Sequence, residues 1–517
     1  MAAPAVPTPA APDRGVRGMI ETKLCVRLED GTYRLPPFVD AHVHVESSHL
    51  TPSRFGAVIA LNGTLHAVCD PHEIVNVMGE KGLDWMLADA RRSPAELHFS
   101  LPSCVPSTPF ETSGAEISAE DTKRLFAKYP ELIGLGEMMD VPGVLGGNRE
   151  TLEKISAARS AGKPIDGHFP GGCGEQLKRY AAAGISSDHE SVSAGEALEK
   201  VAAGMMVFIR EGSAAKNLEA VLPAVNDGNW ERFAFCTDDV SAYDLLNGGG
   251  ILGAIRKAVR LGMDPERAVA LGSVNAARHF GIRLAEDDYM VVRDLKDFEI
   301  VRVVKGGRTL VPDVEARAAT SIENTVHLPA LDAHVFSAPM PDAAGEIEVI
   351  GVNDGSLLTD RLVRRAGDTD DLTLLTVVER HGRNGNIASA WTARTGLRRG
   401  AIASTVAHDH HNLIVLGNES HEIRLAAERL RMIGGGLCVV LDGAVAAEMP
   451  LPVAGLMSCG SASDVSACFA DVLAAARRTG CTLTNPFATM SFLALPVIPE
   501  LKLTDRGLFV FGQALQG

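Results

Sequence analysis

The chain has 517 residues, of which 46% are hydrophobic and 22% charged, and its formal net charge is −16 at pH 7. This length predicts two or three domains, because single hydrophobic cores stop growing at roughly 250–300 residues. The acidic balance excludes a nucleic-acid backbone as partner, since no basic excess exists to neutralise phosphates. A small neutral or cationic substrate fits this charge better.

Cysteines and apolar runs indicate the compartment. The nine cysteines are scattered and never spaced as CxxC, at positions 25, 69, 104, 173, 236, 438, 459, 468 and 481. They suit reduced thiols in the cytoplasm and offer no disulfide or zinc-finger framework. The opening MAAPAVPTPAAPDRG predicts a disordered tail, because no basic region precedes an apolar core. The uncharged run from Thr479 to Pro499 contains Asn485 and three prolines, so we expect a buried, irregular segment and no membrane span.

A strand–helix rhythm repeats from residue 36 to about 281. Short apolar runs end in polar residues, in the order LPPFVDAHV, TLHAVCD, ELHFSLPSC, ELIGLGE, KPIDGH, AGISSDH, AGMMVFIRE and RFAFCTDD. Helical stretches with apolar residues at spacings of three and four lie between them, such as SAEDTKRLFAKYP, NRETLEKISAARSAG, GEQLKRYAAAG and AGEALEKVAAG. Eight such units predict an α/β fold, a (β/α)8 TIM-like barrel. A doubly wound sheet is the alternative, but no Gly-rich phosphate loop follows an early strand.

The remaining chain predicts two further parts. YMVVRDLKDFEIVRVVKGGRTLV, residues 289–311, indicates short strands with a turn at Gly306-Gly307 and hence a small β module. From about residue 345, runs such as LTLLTVVER, NLIVLG and LCVVLDG predict a C-terminal α/β domain. We therefore expect a tail and β-module remnant at 1–35, the barrel at 36–285, a β module and linker at 286–340, and the last domain at 341–517.

Polar residues that bind metals follow the predicted barrel strands. His42 and His44 in FVDAHVHVESSHLT point the same way, because side chains alternate faces along a strand. An HxH pair alone is more often two surface histidines at a strand end. Four other strand ends carry further metal-binding residue types, namely Glu137, His168, His189 and Asp238. All six belong to the carboxyl face of the barrel, where barrel active sites form.

Four imidazoles and two carboxylates are enough to bind two divalent ions, with Glu137 placed to bridge them. Such N/O ligands suit zinc, iron or manganese, and the sequence does not choose among these. Water bound to metal at such a site has a pKa of about 7, so it can supply a hydroxide nucleophile at neutral pH. We expect Asp238 both to bind metal and to shuttle a proton to the leaving group. The pattern therefore predicts metal-assisted hydrolysis at an sp2 carbon.

Other polar residues are candidates for binding substrate. We expect His72 and Glu73 in CDPHEIVNV in the same barrel layer as the metal ligands, where they could bind substrate or an auxiliary metal. The alternative is that Asp70 caps the next helix and His72 lies on the surface. Arg210 and Glu211 could bind ring nitrogens of a substrate or form a buried ion pair. Asp239 could orient Asp238 or cap the next turn.

Two further motifs have alternative interpretations. AHDHHN, which contains His408, His410 and His411, indicates a site reaching over the barrel or a polar loop. Gly434–Gly436 predict a helix stop and a turn. The H-x-E sequence at His44–Glu46 has no PCxxC motif after it, so a zinc site of the type that combines these two motifs is excluded.

Long segments of the chain resemble the adenine deaminase family of the metal-dependent amidohydrolase superfamily. They are FVDAHVHVESSHLTPSRF, DPHEIVNVMG, LGEMMDVPGV, DGHFPGG, AAGISSDHES, REGSAAKNL, TDDVSAYDLL, HDHHNLIVLG, GGGLCVVLDG, PLPVAGLMS and FLALPVIPELKLTDRGLF. The resemblance covers nearly everything from residue 36 onward. It implies a barrel with a small β-sandwich, here reduced because only about 35 residues precede the first strand, and a C-terminal α/β domain.

The resemblance also implies a reaction and a site. The reaction is conversion of adenine and water to hypoxanthine and ammonia at a binuclear iron or manganese centre, in purine salvage. The implied ligands are His42, His44, Glu137, His168, His189 and Asp238, and we assign direct catalytic roles to Glu137, His189 and Asp238. No lysine stands where some cyclic-amide hydrolases of the superfamily carry a carbamylated lysine, which favours the deaminase branch.

Two alternatives to adenine deamination stay open at this point. One is hydrolysis of another 6-substituted purine, such as N6-methyladenine, or of an amino-heterocycle. The other is a catalytically silent scaffold that kept the fold. We expect a small-molecule purine as partner, no nucleic acid or membrane, and a homodimer in the cytoplasm.

Overall fold

The computed structural model describes residues 23–213, 215–317, 322–332, 335–338, 345–365 and 368–510. The predicted disordered tail therefore lies outside the described residues. Two short strands precede the barrel, β1 (Val26–Arg27) and β2 (Tyr33–Leu35), and they pair antiparallel with each other.

The barrel is built from short parallel strands. They are β3 (Phe38–His44), β4 (Thr64–Cys69), β5 (Glu96–Phe99), β6 (Leu135–Met138), β7 (Ile165–Gly167), β8 (Ser187–Asp188), β9 (Met206–Arg210), β10 (Phe233–Cys236) and β11 (Asp238–Asp239). Parallel pairing joins β11 to β3, β4 and β5, then β6 to β7, and β8 to β9 and β10. A bridge between Leu101 and Leu135 and a hydrogen bond from Ser186 N to Ile165 O link these groups. The strands thus form one ring, and the predicted (β/α)8 barrel is confirmed.

Helices follow the barrel strands. They are α1 (Pro52–Leu61), α2 (His72–Met78), α3 (Glu80–Ala90), α4 (Ala119–Lys128), α5 (Val141–Gly146), α6 (Arg149–Ser160), α7 (Gly174–Ala182), α8 (Ala194–Ala202), α9 (Leu218–Val221), α10 (Ala242–Leu246), α11 (Gly250–Arg260), α12 (Pro265–Leu271) and α13 (Val274–Phe280). The four stretches predicted as helices between strands coincide with α4, α6, α7 and α8. Helix α4 begins with a capping box, in which Ser118 and Asp121 satisfy each other's backbone N–H groups.

A small antiparallel sheet combines residues from both sides of the barrel sequence. Strands β12 (Tyr289–Val292), β13 (Ile300–Lys305) and β14 (Arg308–Thr309) extend the pair formed by β1 and β2, in the order β1-β2-β12-β13-β14. Gly306 and Gly307 form the turn between β13 and β14 as predicted, each with a positive φ that favours glycine.

The C-terminal domain is an eight-stranded, mostly antiparallel sheet with helices packed against it. Its strands are β15 (Glu346–Gly351), β16 (Asp360–Arg365), β17 (Thr373–Val378), β18 (Ile387–Ala393), β19 (Ala401–Ser404), β20 (Leu413–Gly417), β21 (Gly436–Leu441) and β22 (Ala444–Pro450). The spatial order is β16-β15-β18-β17-β20-β19-β21-β22. Three helices and a final hairpin complete it, namely α14 (Ser420–Ile433), α15 (Ala462–Arg478), α16 (Pro486–Leu493), β23 (Leu501–Thr504) and β24 (Gly507–Val510).

Two local predictions can be compared with these elements. Gly434 ends α14 with a φ of 80°, so the predicted helix stop is confirmed. The run from Thr479 to Pro499 is less irregular than predicted, since it contains the eight-residue α16. Within the described ranges, no helix has both the length and the apolar character needed to cross a membrane.

The C-terminal domain packs on the barrel at the carboxyl ends of its strands. Thr112, after β5, donates to Asp505 Oδ2 at 2.7 Å, and Asn412 Nδ2 donates to the Thr112 carbonyl at 3.0 Å. On another side of the barrel, Leu50 and Ser458 form a bridge. Residues far apart in sequence therefore meet above the barrel mouth.

Candidate metal centre

The six predicted ligands converge at the barrel mouth. Strands β3, β6 and β11 carry four of them, and the other two directly follow β7 and β8. Five of the six are at least nine-tenths buried, and the side chain of His168 is 22% exposed. The alternation of side chains along β3 brings His42 and His44 to the same side, with their Nε2 atoms 3.2 Å apart.

The tautomers of these two histidines follow from their other contacts. His42 Nδ1 lies 2.8 Å from Asp166 Oδ2, and His44 Nδ1 lies 3.0 Å from the Asp70 carbonyl oxygen. Both oxygens only accept hydrogen bonds, so each Nδ1 carries a proton and Nε2 is the nitrogen that faces the centre. The two Nε2 atoms thus converge where a metal ion bound to both would lie.

Glu137 lies between two groups of imidazoles. Its Oε1 is 3.4 Å from His44 Nε2, and its Oε2 is 2.6 Å from His168 Nδ1 and 3.2 Å from His189 Nε2. Burial would raise the pKa of this carboxyl, but the imidazoles outweigh it and hold the pKa well below its usual range. Oε1 therefore faces His44, and Oε2 faces His168 and His189, as a carboxylate that bridges two ions would require.

Asp238 completes the group that contains His42 and His44. Its Oδ1 lies 3.2 Å from His44 Nε2 and 3.9 Å from His42 Nε2, while Oδ2 accepts from Arg210 at 3.1 Å. Burial would lower the pKa of His44, but the carboxylates of Asp238 and Glu137 raise it well above its usual value. The centre thus has an excess of negative charge that favours bound cations.

The sequence interpretation missed three residues that surround the ligands. Asp166 contacts the Nδ1 atoms of both His42 and His189, at 2.8 and 3.7 Å. Asp70 Oδ2 accepts from the Glu137 N–H at 2.8 Å. Glu190 contacts Arg210 and lies 3.6 Å from His168 Nδ1. Asp166 could have been found, since it lies two residues before His168 and therefore faces the same way.

The predicted substrate residues near Asp238 have other contacts. Arg210 is 7% exposed and paired with Glu190 and Asp238, so it fits the buried ion pair considered above. Glu211 Oε1 accepts from Lys257 at 2.8 Å. Asp239 Oδ1 accepts from Ser47, and burial together with the Asp238 charge raises the pKa of Asp239.

Residues of the C-terminal domain reach the barrel mouth. His408 Nδ1 lies 2.6 Å from Glu73 Oε1, and His411 Nε2 contacts Glu73 Oε2. His72 links this group to the centre, with Nε2 3.4 Å from Glu73 Oε1 and Nδ1 3.4 Å from Glu137 Oε1. The predicted reach of the AHDHHN segment over the barrel is therefore present in the structure.

His410 differs from its neighbours in that segment. Its Nδ1 contacts Glu111, and its Nε2 lies 3.3 Å from the Thr108 carbonyl oxygen. Both ring nitrogens are occupied by barrel residues, and the residue is fully buried. This geometry favours a role in holding the domains together over the substrate contact predicted for it.

The donor set fits divalent transition metals. Imidazole nitrogens and carboxylate oxygens without thiolates suit manganese, iron(II) and zinc. Several three-residue groups bring their ligand atoms within 4.8 Å of one another, including His42–His44–Glu137. The arrangement can therefore hold cations and activate water for hydrolysis.

Comparisons with known proteins agree with this chemistry. Residues 33–310 match the model of the amidohydrolase family, and residues 351–513 match that of the adenine deaminase C-terminal domain. An adenine deaminase of Nitratidesulfovibrio vulgaris (strain Hildenborough) is 42% identical over 516 residues, covering 95% of this chain and 89% of the relative. One of Desulfatibacillum aliphaticivorans is 39% identical over 513 residues, covering 94% and 89%.

A solved structure shares a weaker likeness. The N-acetyl-D-glucosamine-6-phosphate deacetylase of Mycobacterium smegmatis is 16% identical and has a TM-score of 0.40, covering 54% of this chain and 87% of that one.

Proposed function

The chain belongs to the adenine deaminase family of amidohydrolases, and we propose that the centre at its barrel mouth hydrolyses adenine to hypoxanthine and ammonia. The family resemblance predicted from the sequence is thereby confirmed. The curated relatives are named adenine deaminases and align over nearly the whole chain, which supports adenine over other amino-heterocycles.

One observation carries the assignment of the site. Because each Nδ1 faces an acceptor, the Asp166 carboxylate or the Asp70 carbonyl, the Nε2 atoms of His42 and His44 converge at 3.2 Å beside Asp238 Oδ1. Two imidazole nitrogens and a carboxylate oxygen around one point are a donor set that suits a divalent ion. The amidohydrolase family is metal-dependent, and we propose two divalent ions here, manganese or iron(II), with zinc as the alternative.

The proposed ligands divide between two positions. His42, His44 and Asp238 would hold one ion and His168 and His189 the other, with Glu137 contributing one oxygen to each. Ions bound there would supply a water molecule acidified for attack at neutral pH. Buried carboxylates on each side would keep the ligand imidazoles in fixed orientations.

We propose that Asp238 moves the proton in the reaction. The water oxygen bonds to C6 of adenine while the C6–N1 π pair moves to N1, and Asp238 accepts one proton of that water. This proton then passes to the exocyclic amino group, the N1 pair re-forms the double bond, and the bond from C6 to the amino nitrogen breaks so that ammonia leaves. The remaining hydroxyl proton moves to N1 to give hypoxanthine. Arg210 holds Asp238 Oδ2 at 3.1 Å and leaves Oδ1 facing the centre. His189 and Glu137 would act as ligands that hold the second metal ion in place.

We also propose the cellular setting predicted from the sequence. All nine cysteines are free, which suits a reducing cytoplasm. The reaction would serve purine salvage, and a homodimer is proposed on the family resemblance alone; analytical ultracentrifugation would test it.

Metal analysis combined with ammonia release from a panel of purines tests the function. The purified protein should contain close to two transition-metal ions per chain, and it should release ammonia from adenine faster than ammonia from guanine or methylamine from N6-methyladenine. The double variant His42→Ala/His44→Ala should lose metal and activity, whereas the control His421→Ala, at an exposed position of α14, should retain both. Wild-type protein without metal after manganese or iron(II) reconstitution would refute the binuclear centre. Metal without adenine turnover would refute the substrate.

A further inference from the structure

Glu73 is a fully buried carboxylate that receives two histidines from the C-terminal domain. It lies in the first turn of α2 and is 1% exposed. His408 Nδ1 is 2.6 Å from its Oε1, and His411 Nε2 contacts its Oε2. Each oxygen of this carboxylate therefore has an imidazole partner, and both partners come from residues more than 330 positions away along the chain.

The tautomer of His411 decides what this group can do. The Ala407 N–H donates to His411 Nδ1 at 3.2 Å, so Nδ1 is an acceptor and carries no proton. A neutral His411 then has its proton on Nε2 and donates it to Glu73. The nitrogen that faces Glu73 therefore carries a proton and is not free to bind a metal. We interpret the group as one carboxylate that is hydrogen-bonded to His411 and ion-paired with His408, and not as a third metal site. Arg380 fixes this segment further by donating from Nε to the His411 carbonyl oxygen.

His408 faces Glu73 with Nδ1 and not with Nε2, so its Nε2 is left available. Its Nδ1 faces a carboxylate and must carry a proton, while its backbone N–H donates to Ser491 Oγ at 2.7 Å. Its Nε2 makes no hydrogen bond to any of the described residues. The side chain is 17% exposed, whereas the side chain of Glu73 is only 2% exposed.

The position of His408 relative to the metal centre suits a small planar substrate. Only His72 separates Glu73 from Glu137, with contacts of 3.4 Å to each. The His408 ring is nearly parallel to that of Phe492, at 20° with centroids 6.1 Å apart. A partly exposed imidazole and an aromatic ring therefore lie together over the barrel mouth, where a flat heterocycle would otherwise bury little surface.

We propose that His408 binds the purine through a hydrogen bond from Nε2 to a ring nitrogen, with Glu73 and His411 as positioning residues. This inference rests on the proposed function and adds a residue from the C-terminal domain to the substrate site. Burial would lower the pKa of His408, but Glu73, Asp239 and Asp409 raise it to about 9. Nε2 then carries a proton at neutral pH and is a donor, which matches the acceptor ring nitrogens of adenine.

Steady-state kinetics with deaza analogues test this hydrogen bond. His408→Ala should raise KM for adenine by roughly tenfold or more, because a hydrogen bond to a charged group is lost, while the metal content of the barrel stays unchanged. His408→Gln retains an N–H donor near the Nε2 position and should restore part of the affinity. Competition assays with 1-, 3- and 7-deazaadenine identify the ring nitrogen, because each analogue replaces one ring nitrogen with C–H. The analogue that lacks the nitrogen bound by His408 should bind wild type and His408→Ala equally well.

Several outcomes would overturn the proposal. An unchanged KM in His408→Ala would show that His408 does not touch the substrate. A loss of one metal ion from His408→Ala would make it a ligand instead. If His408→Ala weakens the binding of all three deaza analogues equally, His408 has a structural role and not a contact with one ring nitrogen. The proposed function fails separately, if wild-type protein with both metals does not turn over adenine. His421→Ala is the control in each assay, and thermal melting checks that every variant is folded.

Discussion

Asp166 Oδ2 lies 2.8 Å from Nδ1 of His42, on the side of the ring opposite the proposed metal position. The same oxygen lies 3.7 Å from His189 Nδ1, and the two imidazoles are stacked at a centroid distance of 4.1 Å. Burial would raise the pKa of Asp166, but the two histidines hold it below its usual range. A single carboxylate thus lies beside one proposed ligand from each half of the centre, and it is within hydrogen-bond distance of His42.

Asp166→Ala should weaken metal binding without removing any proposed ligand. Carboxylates that orient ligand histidines are worth typically 10–100-fold in metal affinity or activity, so we expect a loss of that order. Competition with a chelator measures the affinity, and excess metal should restore part of the turnover. Asp227→Asn, at a side chain 94% exposed, is the control. If Asp166→Ala binds metal like wild type, His42 and His189 do not depend on this carboxylate.

Replacing Glu137 tests whether it bridges two ions. Glu137→Lys would bring an ammonium group against two cations unless the lysine became carbamylated, so metal content and turnover should both collapse. Glu137→Gln keeps the shape but removes the charge, and we expect it to retain fewer than two ions per chain. Elemental analysis and ammonia release measure both variants. Substantial activity in Glu137→Lys would show that Glu137 is not the bridge.

Asp238→Asn separates metal binding from proton transfer. The amide oxygen can still bind a cation weakly, but the side chain cannot accept a proton. General acid–base assistance is worth typically 10²–10⁴-fold, so kcat should fall within that range while part of the metal is retained. The measurement is turnover at saturating adenine and metal. A loss smaller than tenfold would assign the base elsewhere, with Asp239 and Glu73 as the next candidates.

Local sequence patterns predicted much of the barrel and of the proposed centre. Alternation in FVDAHVH placed His42 and His44 on one side of β3, and apolar runs ending in polar residues identified the strand ends. These signals are local, because strand periodicity and barrel topology decide which side chains face the mouth. The ligand assignments themselves stay predictions until metal is measured.

Contacts between distant segments could not be predicted in the same way. The contact between Glu73 and His411 joins residues 338 positions apart, and it depends on how the C-terminal domain packs on the barrel. The different roles of His408 and His410 depend on ring orientation, since His410 turns both nitrogens toward Glu111 and Thr108. Neither orientation nor domain packing has a periodic signal in the sequence.

Lys502 gives a prediction about stability instead of catalysis. It is fully buried in β23, and its Nζ donates to the carbonyl oxygens of Leu357 at 2.9 Å and Phe492 at 2.8 Å. Burial lowers the pKa of this lysine from 10.5 to about 7. Between these values the unfolded chain binds a proton that the folded protein lacks, so stability rises with pH across that window.

Lys502→Met should remove this part of the pH dependence. From pH 7 to pH 10 the melting temperature of wild type should rise relative to that of the variant, and below pH 7 the difference between them should become constant. Differential scanning calorimetry of both proteins in the same buffers measures that difference, which cancels the titration of other groups. Lys178→Met, at a side chain 71% exposed, is the matched control and should follow wild type. Parallel curves for wild type and Lys502→Met would show that the buried lysine keeps its ordinary pKa, with its two carbonyl contacts and nearby water compensating for burial.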